Sequence, residues 1–483
     1  MITIIPSAGR GSRFKELGKL YPKCLLPVNN KPIIQHNIET IYDISEQINI
    51  VIQQKDLELF EDILSLYNTY DKIKFKFPDE SKNEGPLTSI WAGREEFNQD
   101  RCLIILSDII IPDISKLDLS DNFITYEKVP DYQRWCLIDT SGAKNILVDK
   151  PKEKPSFPFY AVNGIYNVSN ADFDKIGKII GSPYSIETQI SFWLQDVDFQ
   201  AKELPVLDFG TLEEYRKERK IPHCRHFNSV DKNGLIISKS SENSNKIFRE
   251  YSWLKNIPIE LQPFAVRTFD CGYNPFAYNM ESIPHPTMRE YMLFLGTDSF
   301  DDFLEQIKDF IEIERNYTGP SFFDILLEKT VSRMQNIFSP EQIEKISNLL
   351  YKNKEIIDNN TSIMHGDLVA SNIFFDENSC EIKVIDPNGE LYGSFLYDLA
   401  KLNQSFTTPY DYIDSGLYVE DYVYLKSQDK YKNKWREFLE ENYSEFIEVI
   451  DALTLSLMCS LIPLHSDNPK NQELYKRWCE ERI

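Results

Sequence analysis

The sequence has no CxxC pair, no internal repeat, no low-complexity segment and no long linker in its 483 residues. Eight scattered cysteines exclude a disulfide framework or a cysteine-only zinc site as the organising device. Positive charge is scarce as well: 53 Lys and Arg stand against 76 Asp and Glu, a formal charge of −23. That balance speaks against nucleic acid or an anionic membrane as the general partner, since both are gripped by basic surfaces. A small phosphorylated ligand, which needs only a few local cations, stays open. The start, Met1 to Gly9, lacks a basic segment ahead of a long apolar core, so no secretory signal is read there. Apolar stretches such as Leu453 to Leu464 read as too short and too polar for the roughly 20 residues of a membrane span. The expectation is a cytoplasmic protein with reduced thiols.

What is present is globular: 42% apolar and 27% charged residues. At roughly 100–200 residues per domain, two or three folded units are expected. The first hundred residues alternate strand and helix signals, with short β-branched runs at Ile2–Ile5, Ile48–Ile52, Lys72–Phe77 and Cys102–Leu106. Helical spacing intervenes at Pro32–Tyr42, Leu57–Tyr67 and Leu87–Glu95. This order predicts an α/β unit with a parallel sheet, helices on both faces and ligands beyond the carboxyl ends of the strands. The texture changes after about residue 215, and the predicted domains are 1–225 and 228–483. The second opens with a strand at Gly234–Lys239, a helix at Asn245–Lys255 and a strand at Phe276–Met280. It becomes mainly helical from Phe300, interrupted by Met364–Asp386.

The first chemical signal is Gly9-Arg10-Gly11-Ser12-Arg13, followed by Pro22-Lys23. Glycines admit a phosphate close to the backbone, and nearby N–H groups and cations neutralise it. A dinucleotide fingerprint is excluded because Phe14 stands where its third glycine belongs, and the P-loop's Gly-Lys-Ser/Thr is missing. With Pro22-Lys23-Cys24-Leu25-Leu26-Pro27-Val28, Gly85-Pro86-Leu87-Thr88-Ser89, Leu106-Ser107-Asp108, Asp149-Lys150-Pro151, Gly164-Ile165-Tyr166 and Asp208-Phe209-Gly210-Thr211, the region resembles the sugar-phosphate and phosphocholine nucleotidyltransferase family. The resemblance covers about residues 1–220. It implies a Rossmann-like, GT-A-like domain in which an acceptor phosphate attacks the α-phosphorus of a nucleoside triphosphate. It also implies roles: Gly9, Gly11 and Arg13 on the triphosphate, Lys23 at the reacting phosphates and Gly85 at the base. Asp108 and Asp208 would share Mg2+, Lys150 would hold the acceptor phosphate, and Glu187 is a candidate acceptor contact. The phosphocholine-like start favours CTP.

The sharpest motif is Met364-His365-Gly366-Asp367-Leu368-Val369-Ala370-Ser371-Asn372. A strand, a polar turn and a second strand ending at Asp386 follow it. A hairpin of this kind brings Asn372 and Asp386 together, giving one catalytic aspartate, Asp367, and two oxygen donors for magnesium. The region resembles the aminoglycoside phosphotransferase and choline kinase family over about residues 228–483. Asp386-Pro387-Asn388-Gly389 stands in place of Asp-Phe-Gly, and the Ala-Pro-Glu of protein kinases is missing. The resemblance implies a bilobal protein-kinase-like α+β domain with Lys239 on ATP, Glu250 orienting that lysine and Lys246 as the competing lysine. It further implies that Asp398 braces the active-site loop and that Met280-Glu281 lies near the adenine. Asn228-Ser229-Val230 would replace a glycine-rich cover.

Together these imply a bifunctional enzyme. The second half phosphorylates a small hydroxyl compound (an amino alcohol, a polyol or similar) with ATP. The first half then joins a nucleotide to the phosphomonoester, giving an activated precursor for surface polysaccharide or lipid. Two alternatives stand beside it. One is an anomeric sugar kinase joined to a sugar-1-phosphate nucleotidyltransferase; the other is a nucleotidyltransferase carrying a non-catalytic kinase-like binding domain. Oligomeric state is not readable from the sequence.

Overall fold

The computed structural model describes residues 1–9, 22–29, 31–79, 85–94, 101–115, 117–142, 144–180, 189–211, 213–215, 228–233, 235–241, 243–269, 277–417, 425–466 and 468–483. The chain divides into two compact units, Met1–Arg219 and Lys220–Ile483.

The first unit is a Rossmann-like α/β fold. Its strands β1 (Ile2–Pro6), β2 (Gln47–Val51), β3 (Ile73–Lys76) and β4 (Arg101–Ile105) run parallel in the order β4-β1-β2-β3. Helices α1 (Ile33–Ile41), α2 (Leu57–Leu64) and α3 (Pro86–Ala92) alternate with them. Strands β1, β2 and β4 are buried on both faces, whereas β3 at the sheet edge alternates apolar residues with lysines. Ile5, Ile48 and Ile50 pack with Ile34 and Ile38 of α1 and Phe60 of α2. Ile4, Val51 and Ile104 face the other way, onto Leu87 and Ile90 of α3. Each such fully buried side chain contributes roughly 1.5–3 kcal/mol of transfer free energy.

The all-parallel expectation needs correction, because the sheet is mixed. The short strand β5 (Ile109–Ile110) stands apart from it in a ribbon of its own. Strands β6 (Phe123–Lys128), β7 (Cys136–Asp139), β8 (Ile146–Asp149) and β9 (Tyr160–Ser169) extend the main sheet beyond β4 through antiparallel pairings. Strand β9 lies against β4 and also pairs with β6 and β7. Its Gly164 has φ +98°, and a Cβ there would stand 2.9 Å from Leu106 Cδ1. Only glycine accepts both the conformation and that approach, which lets β9 seal the end of β4 just before Ser107-Asp108. Late in the unit, β10 (Leu207–Asp208) returns to pair antiparallel with β5.

The second unit is mainly helical beside a small antiparallel sheet. Strands β11 (Asn228–Asn233), β12 (Ile236–Ser241), β13 (Thr268–Phe269) and β14 (Ala277–Glu281) lie in the order β11-β12-β14-β13. Helix α4 (Ser244–Asn256) follows β12 and packs on it and on β14. The helices α5 (Phe300–Arg315), α6 (Phe323–Met334), α7 (Phe395–Thr407) and α8 (Ile447–Leu461) form the larger core. Between them, β15 (Ile373–Asp376) and β16 (Glu381–Val384) make the expected hairpin, with Ile373 opposite Val384.

The expectation that no stretch is long and apolar enough for a membrane span is also corrected. Ser444–His465 reaches 22 residues and contains an 18-residue stretch with a mean hydropathy of 1.8. Two-thirds of that stretch is nevertheless buried within the protein (67%), with α8 packed on α6 and α7. A bundle's central helix is apolar around most of its circumference because other helices surround it.

Candidate functional site

In the first unit β1 and β4 are parallel neighbours, so the residues following them emerge at one sheet edge. Gly9 lies exposed just past β1, and Asp108 follows β4 by three residues. A Cβ at Gly9 would meet no described atom within 4 Å. Gly85 caps the start of α3. Lys23 opens a short 3-10 turn whose next two residues, Cys24 and Leu25, are buried anchors. Its Nζ donates to Asp108 Oδ2 at 2.5 Å. Gly11, Arg13 and Glu187 lie outside the described residues.

Asp208 comes from a hundred residues further on, at the end of β10. The Phe209 N–H donates to the Asp108 carbonyl at 2.7 Å, locking the two aspartates side by side. Burial, and after it the neighbouring Glu214 and Asp108, push the Asp208 carboxyl up to about 7. Arg134 reaches Asp208 Oδ2 at 3.4 Å and also pairs with Glu214. Burial opposes the Glu214 charge, but hydrogen bonds from Arg134 and Asp208 prevail and hold its carboxyl low.

Lys150 follows β8 in a left-handed conformation (φ +44°), and its N–H donates to the Trp135 carbonyl at 2.9 Å. Its backbone is thereby tied next to the arginine that touches Asp208. None of the sequence motifs points to Arg134 or Glu214. Glu214 has a local signal all the same, since Thr211-x-x-Glu214 is a capping-box spacing, and the Thr211 hydroxyl does donate to Glu214 Oε2 at 3.0 Å. Arg134 has none.

The aspartates offer only oxygen, a donor set that suits Mg2+. Crowded carboxylates such as these are also what a divalent cation relieves. Among the described residues no group of three or more His, Cys, Asp and Glu side chains could hold a metal. An ion at Asp108 and Asp208 would therefore complete its shell with water and substrate phosphate, as magnesium commonly does.

The second unit holds its charges deeper. Lys239 sits inside β12, not at its end as expected, and is 1% exposed. Its Nζ lies 2.7 Å from Glu250 Oε2 of α4 and 2.9 Å from Asp386 Oδ1. Burial works against the lysine's charge, but Asp386 and then Glu250 outweigh it and hold Lys239 well above its usual range. Lys246 stays half-exposed, 3.5 Å from Glu250 Oε1. Asp386 is left-handed, with φ +59°, a conformation uncommon for a residue with a side chain.

Asn372 Nδ2 donates to the Asp367 carbonyl at 2.9 Å and to its Oδ2 at 3.3 Å. Lys401 Nζ lies 3.0 Å from Asp367 Oδ1. Asn372 and Asp386 are again an all-oxygen set, joined where the Ile385 N–H donates to the Asn372 carbonyl at 3.0 Å. The backbone of β11 pairs with β12, which puts Asn228-Ser229-Val230 opposite Lys239 to Ser241. Met280 is buried within β14, and Glu281 Oε1 accepts from the Arg267 N–H at 2.9 Å.

The loop before Asp367 is tightly determined. Gly366 has φ +76°, and a Cβ there would stand 2.0 Å from Asn388 Nδ2. His365 is fully buried; burial lowers its pKa to about 4, so it is neutral. Its Nδ1 accepts from the Asp367 N–H at 3.3 Å, leaving Nε2–H to donate to the Ile385 carbonyl at 3.0 Å. The Trp253 indole N–H of α4 donates to the Met364 carbonyl at 2.8 Å. Asp398 Oδ2 accepts from the His365 N–H at 2.6 Å and Oδ1 from the Gly366 N–H at 2.8 Å. Glu314 on α5, which belongs to no motif, accepts from the same His365 N–H at 3.1 Å. Its signal is periodicity: Phe303, Ile307, Phe310 and Glu314 share one helical stripe.

Residues 3–118 match the family described as MobA-like NTP transferase domain. The bifunctional protein GlmU of Methanococcus maripaludis is 28% identical over 188 residues, 38% of this chain and 43% of that protein. A bifunctional sugar-1-phosphate nucleotidylyltransferase/acetyltransferase of Sulfurisphaera tokodaii is 26% identical over 189 residues, 37% of this chain and 43% of that protein. The chain thus spans less than half the length of these relatives. A solved UDP-glucose pyrophosphorylase bound to UDP-glucose covers 45% of this chain and 96% of its own, with 19% identity and a TM-score of 0.38.

Proposed function

We propose that the chain is a two-step enzyme. Its second unit phosphorylates a small hydroxyl compound with ATP, and its first unit transfers a nucleotidyl group onto the resulting phosphomonoester. The observation that carries the reading is the gathering, within each unit, of carboxylates from distant parts of the chain around a lysine. In the first unit these are Asp108, Asp208 and Lys23; in the second they are Glu250, Asp386 and Lys239, beside Asp367 and Asn372. The names of the relatives support a sugar 1-phosphate as the acceptor class, so the product would be a nucleotide-activated sugar or a similar conjugate. The amino-alcohol acceptor and the lean towards CTP have no such support and enter only as members of a test panel.

In the first unit an acceptor phosphate oxygen forms a bond to the α-phosphorus while the α–β bridging bond breaks and pyrophosphate leaves. Little covalent chemistry falls to the protein, so positioning and charge neutralisation dominate. Lys23 neutralises the reacting phosphates. Lys150 is the candidate for holding the acceptor, and Arg13 for holding the triphosphate. Mg2+ held by Asp108 and Asp208 would neutralise phosphate charge as the leaving group departs.

For the second unit, the hairpin, the buried Lys–Glu–Asp set and the neutral histidine ahead of Asp367 support a kinase-like fold. Asp367 orients the acceptor hydroxyl and takes its proton as the oxygen attacks the γ-phosphorus. Lys239, held by Glu250, binds the α- and β-phosphates, and Lys401, 3.0 Å from Asp367 Oδ1, aims that aspartate. Asn372 and Asp386 would be the oxygen donors for Mg2+ there.

The test is mass spectrometry of products after offering the full chain ATP, each common nucleoside triphosphate and a library of sugars, polyols and amino alcohols. A phosphomonoester followed by its nucleotide conjugate is expected. A conjugate formed only from added sugar phosphate, with no ATP-dependent phosphorylation of any alcohol, would retain the first step and sink the second. An Asp367→Asn chain mixed with an Asp108→Ala chain should restore the conjugate through a diffusible phosphate ester.

A further inference from the structure

The second unit buries two carboxyl groups side by side, and no described cation pairs with Glu314. Glu314, near the end of α5, and Asp398, on α7, are both fully buried. They lie within hydrogen-bonding reach of each other. Both accept from the backbone N–H of His365, and Asp398 also accepts from that of Gly366. Two negative charges in such a place repel strongly in a low-dielectric interior, so one group keeps its proton.

The hydrogen bonds decide which one. Asp398 has a short backbone N–H bond to each oxygen, 2.6 and 2.8 Å, and these stabilise its charged form. Glu314 has a single, longer bond, 3.1 Å to Oε1. Its Oε2 is buried with no partner so long as it is treated as a bare acceptor. A proton on Oε2 removes both difficulties at once, by cancelling one charge and donating to Asp398. We propose that Glu314 is a positioning residue that acts in its protonated form, bridging to Asp398 so that Asp398 can clamp the His365-Gly366 turn and aim Asp367. Burial, then the Asp398 charge, push Glu314 well above the usual carboxyl range, in keeping with this.

Other charged or titratable groups surround the pair. Lys401 on α7 acts on Asp398, Asp367 acts on His365, and Tyr443, whose hydroxyl donates to Glu312 Oε1, feels the Glu314 carboxyl. None of these supplies Oε2 with a donor. The clamp matters because Gly366 is held in a left-handed turn that leads straight into Asp367. A displacement of about 1 Å in such a group can cost on the order of 10²-fold in rate.

The inference rests on the kinase reading of this unit, so its test carries a readout independent of turnover. In the full chain, Glu314→Gln supplies a permanent donor to Asp398 and an acceptor for the His365 N–H. Glu314→Met keeps volume and supplies neither. Amide hydrogen exchange is followed in the peptide holding His365 and Gly366, together with kcat and KM for ATP-dependent phosphorylation. The Gln variant should keep wild-type protection and turnover to within about twofold, whereas Met should lose protection and up to about 10²-fold in kcat, mostly sparing KM for ATP. The proposal is overturned if Gln loses as much protection as Met, since Glu314 then acts as a charged carboxylate. It is equally overturned if Met, folded, keeps wild-type protection. Should Met fail to fold, retention of protection by Gln remains the deciding result. Absence of any phosphorylation by the wild-type chain counts against the kinase reading alone, because the exchange comparison still tests the clamp.

Discussion

The two units place a lysine among carboxylates in opposite ways. In the first, Lys23 and Asp108 are about one-fifth exposed, at 21% and 19%. Asp208 and Glu214 crowd beside them, and Arg134 comes from an exposed position to share the load. In the second, the side chains of Lys239 and Glu250 are each 2% exposed, and Asp386, 26% exposed, closes the set from 2.9 Å. Among the described residues the first arrangement sets Lys23 and Arg134 against Asp108, Asp208 and Glu214, and every member is partly open to solvent. The second balances only when the half-exposed Lys246 is counted, and it keeps its Lys239–Glu250 pair out of solvent while Asp386 still reaches it. A buried charge set must be complete to be tolerated, whereas a part-exposed one can wait for its ligand.

Activity should separate the units most widely. Asp367→Asn should lower phosphorylation by about 10²–10⁴-fold while leaving nucleotidyl transfer from added phosphomonoester intact. Asp108→Ala should do the reverse. Separate assays of pyrophosphate release and ADP formation check both, and a variant that impairs both reactions equally would mean the units do not work separately.

Stability should divide the lysines next. Lys239→Met strands the buried Glu250 beside a part-exposed Asp386 and should cost the second unit about 3–5 kcal/mol. Lys23→Met, on a part-exposed pair, should change the first unit by about 1 kcal/mol or less. Urea unfolding with exchange-resolved peptides from each unit separates the two effects, and equal costs would contradict the contrast.

A pH effect of similar size belongs to the second unit. His365 stays neutral in the folded protein down to about 4, whereas the unfolded chain protonates it near 6.5. The unfolded state therefore binds the proton first, and stability falls as pH drops through that window, by up to about 3 kcal/mol. Asp398, pushed up to about 7 by burial, acts with the opposite sign, favouring the folded state towards acid. The measurement is therefore a difference: unfolding free energies of wild type and His365→Gln, each at pH 6.5 and pH 4. The wild type should lose more on acidification than the variant.

A backbone effect belongs to a glycine. Gly164→Ala must adopt φ +98° and push against Leu106, which should cost about 1–3 kcal/mol in the first unit and disturb the approach to Asp108. Thermal unfolding and the KM for Mg2+-nucleotide of the variant check this.

Legibility in the sequence differs between these same places. Alternating elements in the first hundred residues are readable because β1, β2 and β4 are largely buried, β3 alternates apolar and charged residues, and each helix keeps its spacing. The mixed sheet is not, since the direction of β9 against β4 depends on a crossover that no local pattern records. Ser444–His465 has a membrane-like length and hydropathy, and only the helices packed around it show that its apolar surface is spent inside the protein. Glu214 and Glu314 each leave a trace, one in a capping spacing and the other on an apolar stripe. Arg134 leaves none, because an exposed arginine acquires meaning only from what the fold brings to it.

By itself, then, the sequence determined the local facts: where strands and helices begin, which turns demand glycine, and which motifs carry oxygen donors and cations. Those follow from backbone sterics and side-chain periodicity, which act over a few residues. The tertiary structure alone decided which charges meet. Asp108 and Asp208 are joined by the Phe209 N–H, Lys239 is shut in with Glu250 and Asp386, and Glu314 is pressed against Asp398. The energy of a charge depends on its solvent and its neighbours, and both are fixed only when distant segments pack.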